Sequence, residues 1–201
     1  MNLSSQNLVF GFCTSKGYEV QTLILIRSLR EFGGALSEMA VWALYPEDHP
    51  FDPSFVKTLF DLNVSLKPFQ IDESISRFPF AMKTIAAAQA EKLAEKEDVL
   101  LAWHDRTGVI LNAPTAFNLP DGKVIGFRPT DIANIGAPYA KPLPPFWEAV
   151  CEHCDLRAEQ MTKITTVIDQ KDLYLYVNAG LLVVRPQNGI LRDWADHLTR
   201  L

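Results

Sequence analysis

The sequence predicts an α/β fold: a single domain with a mostly parallel central sheet and helices on both faces. Three observations carry this expectation. Strand-like and helix-like segments alternate four times between residues 8 and 103, the pattern of parallel strands joined by right-handed crossovers. The strand-like runs are continuously apolar, as expected where both faces of a sheet are covered. The chain has 201 residues, 48% of them hydrophobic and 21% charged, which suffices for one real core. No Gly/Ser-rich or charged linker divides 1–201, so one domain is expected.

Residues 8–13 are a short apolar run stopping at Thr14-Ser15-Lys16-Gly17, a buried strand feeding a turn. Over 18–32 the apolar positions Val20, Leu23, Ile24, Ile26 and Leu29 recur at helical spacing, and Gly33-Gly34 ends the helix. A second strand covers 39–45 and ends at Pro46. Residues 53–62 form a short helix with Pro53 in its first turn. A third strand spans 64–69, an Ala-rich helix 80–96 and a fourth strand 98–103. Beyond it the pattern predicts short strands at 109–111 and 123–127, and a Pro/Gly-rich loop over 129–145. A helix at 146–156 and a half-exposed strand at 163–168 follow. The last elements are a long strand over 174–185, broken at Asn178-Ala179-Gly180, and an amphipathic helix over 189–201.

Composition narrows the function classes. The net charge is −5 with Lys and Arg scattered, so the cationic footprint of a nucleic-acid binder is missing. No apolar run approaches the roughly 20 residues a membrane-spanning helix needs. The first nine residues lack the basic flank and apolar stretch of a signal peptide. Three cysteines argue against a disulfide scaffold and for the cytoplasm.

In a parallel sheet ligands bind at the carboxyl ends of strands, which here are 13–18, 45–49 and 103–108. The run Leu100-Leu101-Ala102-Trp103-His104-Asp105-Arg106-Thr107-Gly108 is the most informative. A hydrophobic strand opens into a polar cluster, then resumes as Val109-Ile110-Leu111 and ends at Pro114. Asp105 there either caps a turn or holds a divalent ion or a ribose hydroxyl. Phe12 or Tyr18 offers a planar face on which a base can stack.

This layout resembles the glycosyltransferases of the GT-A type, the glycogenin-like superfamily that binds nucleotide-diphosphate sugars. In that family a central strand ends in Asp-x-Asp, followed by a hydrophobic stretch and often a proline. Asp105-Arg106-Thr107, counted back from Pro114, keeps the first acid and has Thr107 in place of the second. Phe10-Gly11-Phe12-Cys13-Thr14 with Tyr18 and Ser28-Leu29 resembles the first strand and helix, where the base is held. Arg77-Phe78 and Lys83 resemble the cations facing the diphosphate, and Tyr176-Val177-Asn178-Ala179-Gly180 resembles the strand beside the sugar pocket. The resemblance spans roughly residues 8–195.

It implies a transferase that takes a nucleotide-diphosphate sugar and an acceptor, with no catalytic base indicated. Phe12, Cys13, Thr14 and Tyr18 would surround base and ribose. Asp105 would meet ribose or a metal, Arg77 and Lys83 the phosphates, and Asn178, Ala179 and Gly180 the sugar. Mn²⁺ or Mg²⁺ is implied as cofactor, with only Asp105 as ligand and Thr107 a neutral oxygen. Arg77, Lys83 or Arg106 are the alternative to a metal. The rival expectation is a catalytically degenerate domain of the same fold that binds a ligand or serves in assembly. Association into homo-oligomers stays open.

Other polar residues have plainer readings. Cys151-Glu152-His153-Cys154 lacks a second ligand pair for zinc and reads as helix packing. Asp131 reads as a helix N-cap or as a group facing the sugar from the long loop, His197 as a surface histidine, and Asp169-Gln170 as a loop or an acceptor-side pair. Trp42, Trp103, Trp147 and Trp194 read as core residues, and Cys13 as a small buried hydrophobe.

Overall fold

Four consecutive apolar runs become the strands β1 (Leu8–Cys13), β2 (Ala40–Pro46), β3 (Val64–Phe69) and β4 (Leu100–His104) of a computed structural model. It describes residues 7–134, 136–140 and 142–200. The segment read for a signal peptide and the last position of the final helix therefore lie partly outside the described residues. Two later strands, β5 (Ile125–Pro129) and β8 (Val177–Val184), complete a six-stranded sheet in the order β3-β2-β1-β4-β8-β5. β1 runs parallel to both β2 and β4, and β2 runs parallel to β3. β4 and β8 are antiparallel. The mixed, mostly parallel sheet and its helices give the expected α/β class.

The helices are α1 (Glu19–Phe32), α2 (Pro53–Asp61), α3 (Glu73–Ser76), α4 (Ala81–Glu97), α5 (Pro145–His153) and α6 (Ile190–Thr199). Leu25, Ile26 and Leu29 of α1 and Phe55 and Leu59 of α2 pack with Phe10, Phe12, Val41 and Ala43 of the sheet. Burying a side chain of this size contributes about 1.5–3 kcal/mol. α4 packs on β1, β2 and β4 and against α6. Its Ala86, Ala87, Ala90 and Ala94 are fully buried, and methyl side chains let a helix approach a sheet closely. Gly11 serves the same close packing: a Cβ there would stand 2.9 Å from Leu101 Cδ1 and 3.3 Å from Trp103 Cε3.

α6 is tied to α4 by Glu91, a fully buried carboxylate. It accepts the amides of Leu191 (3.1 Å) and Arg192 (2.9 Å) and the Arg192 Nε–H (3.2 Å). A buried charge demands such partners.

The chain divides into two compact units, 1–126 with 180–201, and 127–179. In the second, β6 (Lys163–Thr165) and β7 (Asp172–Tyr174) form an antiparallel pair. Tyr139 and Tyr174 pack at a tilt of 56° with ring centroids 4.9 Å apart, and Trp147 meets Tyr176 edge-on at 6.4 Å. No described helix is long and apolar enough to cross a membrane.

The structure corrects four expectations. Residues 109–111 are not a strand: Ile110 turns into the core, 7% exposed, and its amide bonds to a side chain rather than to a ladder. The strand over 174–185 is not broken at Asn178-Ala179-Gly180, because β8 runs through all three. Its start, around Tyr174, belongs instead to β7. Asp131 caps no helix; it lies in a bend and pairs with Arg128 at 2.5 Å. The expected strand 163–168 ends at Thr165, after which Thr166 bonds to Asp169 and Lys171 and starts the turn.

Candidate functional site

The parallel register aligns the ends of β1 and β4. Phe12 pairs with His104, so Cys13 and Asp105 leave the sheet side by side. The first turn of α4 reaches the same place, where the Cys13 thiol lies 3.8 Å from the Met82 carbonyl oxygen.

Beyond Cys13 the chain is held tightly. The Thr14 amide continues the ladder to the Leu44 oxygen at 2.8 Å, and the Thr14 hydroxyl meets that of Thr22 at 2.6 Å. Both threonines are fully buried, so the loop is fixed to α1. Gly17 turns the chain at φ +92°, a conformation that favours glycine, and its amide bonds to Glu19 Oε2 at 2.9 Å. Tyr18 then stands 38% exposed at the head of α1. Phe12 is fully buried in the core, so the strand end presents its backbone and not its ring. Cys13 is 3% exposed and burial pushes its thiol up to about 12, which keeps it neutral and unreactive.

Beyond His104 the chain makes a tight turn. Asp105 Oδ1 accepts the Thr107 amide (3.0 Å) and hydroxyl (2.8 Å), and the Gly108 amide reaches the Asp105 carbonyl at 3.0 Å. Asp105 Oδ2 accepts the Lys83 ammonium at 2.8 Å. Burial alone would raise this carboxyl; the bonds from Lys83 and Thr107 outweigh it and hold the group at about 2. The Asp105 amide donates to the Gly180 oxygen of β8 at 2.8 Å. His104 Nδ1 donates to the Asp105 oxygen at 2.7 Å, its ring lies 5.4 Å from that of Phe10, and burial lowers its pKa. Gly108 is required by this packing, since a Cβ there would come within 2.0 Å of His104 Cε1.

Arg106 returns toward α1 and lays its guanidinium over the Tyr18 ring, 3.6 Å from the centroid. Its Nε is buried with no hydrogen-bond partner among the described residues.

Of the residues expected at the site, Cys13, Thr14, Tyr18, Lys83 and Asp105 come together, with Gly180 beneath Asp105. Arg77 is exposed at the end of α3, its side chain without a hydrogen bond or ion pair among the described residues. Asn178 and Ala179 belong to the second unit. There Asp169 accepts the Thr166 hydroxyl (2.5 Å) and the Ala133 amide (3.2 Å), organising loops. Sequence reasoning passed over His104 and Gly108 as a packed pair and Ser28 as an anchor. A serine on the apolar face of α1 was the signal for the last.

A divalent ion would draw on Asp105, whose two oxygens already hold Lys83 and Thr107. Among the described residues no three His, Cys, Asp or Glu side chains gather to bind a metal. The side chains present do not fit a carboxylate-held ion.

A model of the Rhodobacterales glycosyltransferase domain matches residues 9–201. The chain belongs to that family. Solved structures share the fold of this glycosyltransferase domain. The bifunctional glycosyltransferase WbbM, in its apo form, matches at 14% identity over 99% of this chain and 35% of its own, with a TM-score of 0.60. The galactosyltransferase LgtC, in complex with donor and acceptor sugar analogs, matches at 12% identity over 96% and 61%, with a TM-score of 0.50. Core-mannan synthase A from Aspergillus fumigatus, in its Mn/GDP form, matches at 7% identity over 98% and 68%, with a TM-score of 0.51. The glycosyltransferase domain thus spans about a third of WbbM and 61% of LgtC. Among curated proteins, none matches it by sequence.

Proposed function

We propose that this domain binds a nucleotide-diphosphate sugar where β1, β4 and α4 converge and transfers the sugar to an acceptor hydroxyl. The carrying observation is the Lys83–Asp105 pair at 2.8 Å, beside the end of β1, in a chain of a glycosyltransferase family. A strand-end crevice is the place where sheets of this kind take ligands. Tyr18 offers a ring to the base, and the backbone of Phe12, Cys13 and Thr14 edges the base and ribose. Lys83 meets the diphosphate. Open clefts of about 560 Å³ beside the end of β3 and α4, and of about 680 Å³ in the second unit, are lined by neither Lys83 nor Asp105.

In the reaction the bond from the anomeric carbon to the β-phosphate oxygen breaks and its electron pair leaves with the nucleoside diphosphate. The acceptor oxygen forms the new bond and its proton passes to the departing β-phosphate oxygen or to water. Charge growing on the leaving group is what fixed cations stabilise. The three free cysteines support a reducing, cytoplasmic setting.

The test is a panel of UDP- and GDP-sugars, scored by thermal stabilisation and by released nucleoside diphosphate. Stabilisation with release supports the transferase. Stabilisation without release, over all sugars and acceptors tried, moves the domain to the ligand-binding class. No stabilisation by any nucleotide removes the reading.

A further inference from the structure

The pyrophosphate of a sugar nucleotide carries two negative charges and gains more as it departs. Two devices can balance it: a divalent ion gripped by carboxylates, or cations built into the protein. The surroundings of Asp105 favour the second.

Both Asp105 oxygens are engaged, Oδ2 by the Lys83 ammonium at 2.8 Å and Oδ1 by the Thr107 amide and hydroxyl at 3.0 and 2.8 Å. An arriving Mn²⁺ or Mg²⁺ would share this single carboxylate with an ammonium, a like charge 2.8 Å from Oδ2. The residue two positions on, Thr107, adds no charge, and the described residues supply no third acidic or imidazole ligand. Lys83 keeps two further N–H donors, and its side chain is 20% exposed, so it faces solvent while being held in place. Arg106 stands next along the turn, its guanidinium 3.6 Å over Tyr18 and its Nε–H buried and unbonded among the described residues. A guanidinium resting on an aromatic face is held by only about 0.5–2 kcal/mol, and its planar fork matches a phosphate.

We propose that Lys83 and Arg106 hold the donor's pyrophosphate in place of a divalent ion, with Asp105 as the positioning residue that aims Lys83. The inference rests on the nucleotide-sugar reading above. In it Arg106 leaves the Tyr18 ring for the phosphates, and the base takes over the ring's face, so the stack of the free protein marks the base subsite.

Calorimetric titration of the full chain with UDP, GDP, CDP and ADP, once with EDTA and once with Mn²⁺, separates the possibilities. The expected result is a Kd for the preferred nucleotide that agrees within about threefold between the two arms. K83M and R106M then weaken binding in EDTA by about tenfold or more each and flatten its salt dependence, because each removes one screened charge contact. D105N weakens binding several-fold through loss of aim but leaves the salt dependence as it was, and Mn²⁺ does not restore it. Circular dichroism melts check folding, and K83R and R106K, which keep the charge, are expected to recover part of the affinity.

Binding that appears only with Mn²⁺ overturns the inference and leaves the nucleotide reading standing. Wild-type affinity in both K83M and R106M overturns it as well. Failure of every nucleotide to bind in either arm overturns the nucleotide reading and takes this inference with it.

Discussion

Ser28 and Ile110 lie 82 residues apart and meet through one hydrogen bond: the Ile110 amide donates to the Ser28 hydroxyl oxygen at 3.0 Å. The hydroxyl passes its own hydrogen to the Leu25 oxygen at 2.8 Å. α1 thereby pins the segment leaving the Asp105 turn, which has no ladder of its own. S28A strands a buried amide and is expected to cost about 1–3 kcal/mol. Urea denaturation measures it, and a loss under about 0.5 kcal/mol contradicts the pin.

Gly108 and His104 are packed so closely that a methyl group does not fit, with 2.0 Å between the added carbon and His104 Cε1. G108A is expected to push the imidazole off Phe10 and to destabilise by about 1–3 kcal/mol, the usual range for overpacking. The double variant G108A/H104A is expected to recover part of that loss. If it is no more stable than G108A, the contact is not the cause.

His104 should make the fold sensitive to mild acid. Burial lowers its pKa from 6.5, so near that pH the unfolded chain takes up a proton that the folded chain refuses. Stability is therefore expected to fall as pH drops below about 6.5, and H104Q to flatten this part of the profile. Denaturation midpoints between pH 7.5 and 5 decide it.

Asp105 acts further down the scale. Its folded value near 2 lies below the ordinary 3.8, so its contribution is present above about pH 4 and is lost as pH falls toward 2. Since a third of the side chain is exposed, the expected size is on the order of 1–2 kcal/mol after allowing for solvent screening. D105N is expected to lose this contribution above about pH 4 and to flatten the acid limb, which denaturation midpoints between pH 5 and 2 check.

Glu91 is the test of the C-terminal helix. E91A leaves the Leu191 and Arg192 amides without their acceptor and Arg192 without one of its carboxylates, at an expected cost of about 3–5 kcal/mol. E91Q keeps an acceptor oxygen and is expected to lose less than half as much. Equal losses in the two variants would show that the hydrogen bonds are not what matters.

Strands β1 to β4 and helices α1, α2, α4 and α6 were legible because sheets buried on both faces are written as unbroken apolar runs. The same rule misled at Val109-Ile110-Leu111, where an apolar triplet serves a loop that dips one residue into the core. At Asn178-Ala179-Gly180 turn-forming residue types sit in a strand: β8 runs on past the residues paired with β4, Leu181–Val184, and the Gly180 oxygen takes the Asp105 amide. α3 has four residues and no apolar period to display. At the site, Asp105, Lys83, Cys13, Thr14 and Tyr18 were each legible as residue types near strand and helix ends. Their pairing was not: that Lys83 bonds to Asp105, or that Arg106 lies on Tyr18, depends on register and helix placement. Residue types also suggested Phe12 as a stacking ring, but β1 is buried on both faces and Phe12 packs in the core.

The strand order has a consequence for how the protein is made. β4 joins β1 on one side, but its other edge is covered only by β8, whose last residue follows that of β4 by roughly 80 positions. At 5–20 residues per second a ribosome needs on the order of 4–16 s to supply them. Through that interval the nascent sheet carries an open apolar border that another chain can pair with, an aggregation hazard of the kind edge strands pose. Overproduction should therefore yield more soluble protein when translation is slowed by cooling or a chaperone that shields such borders is supplied.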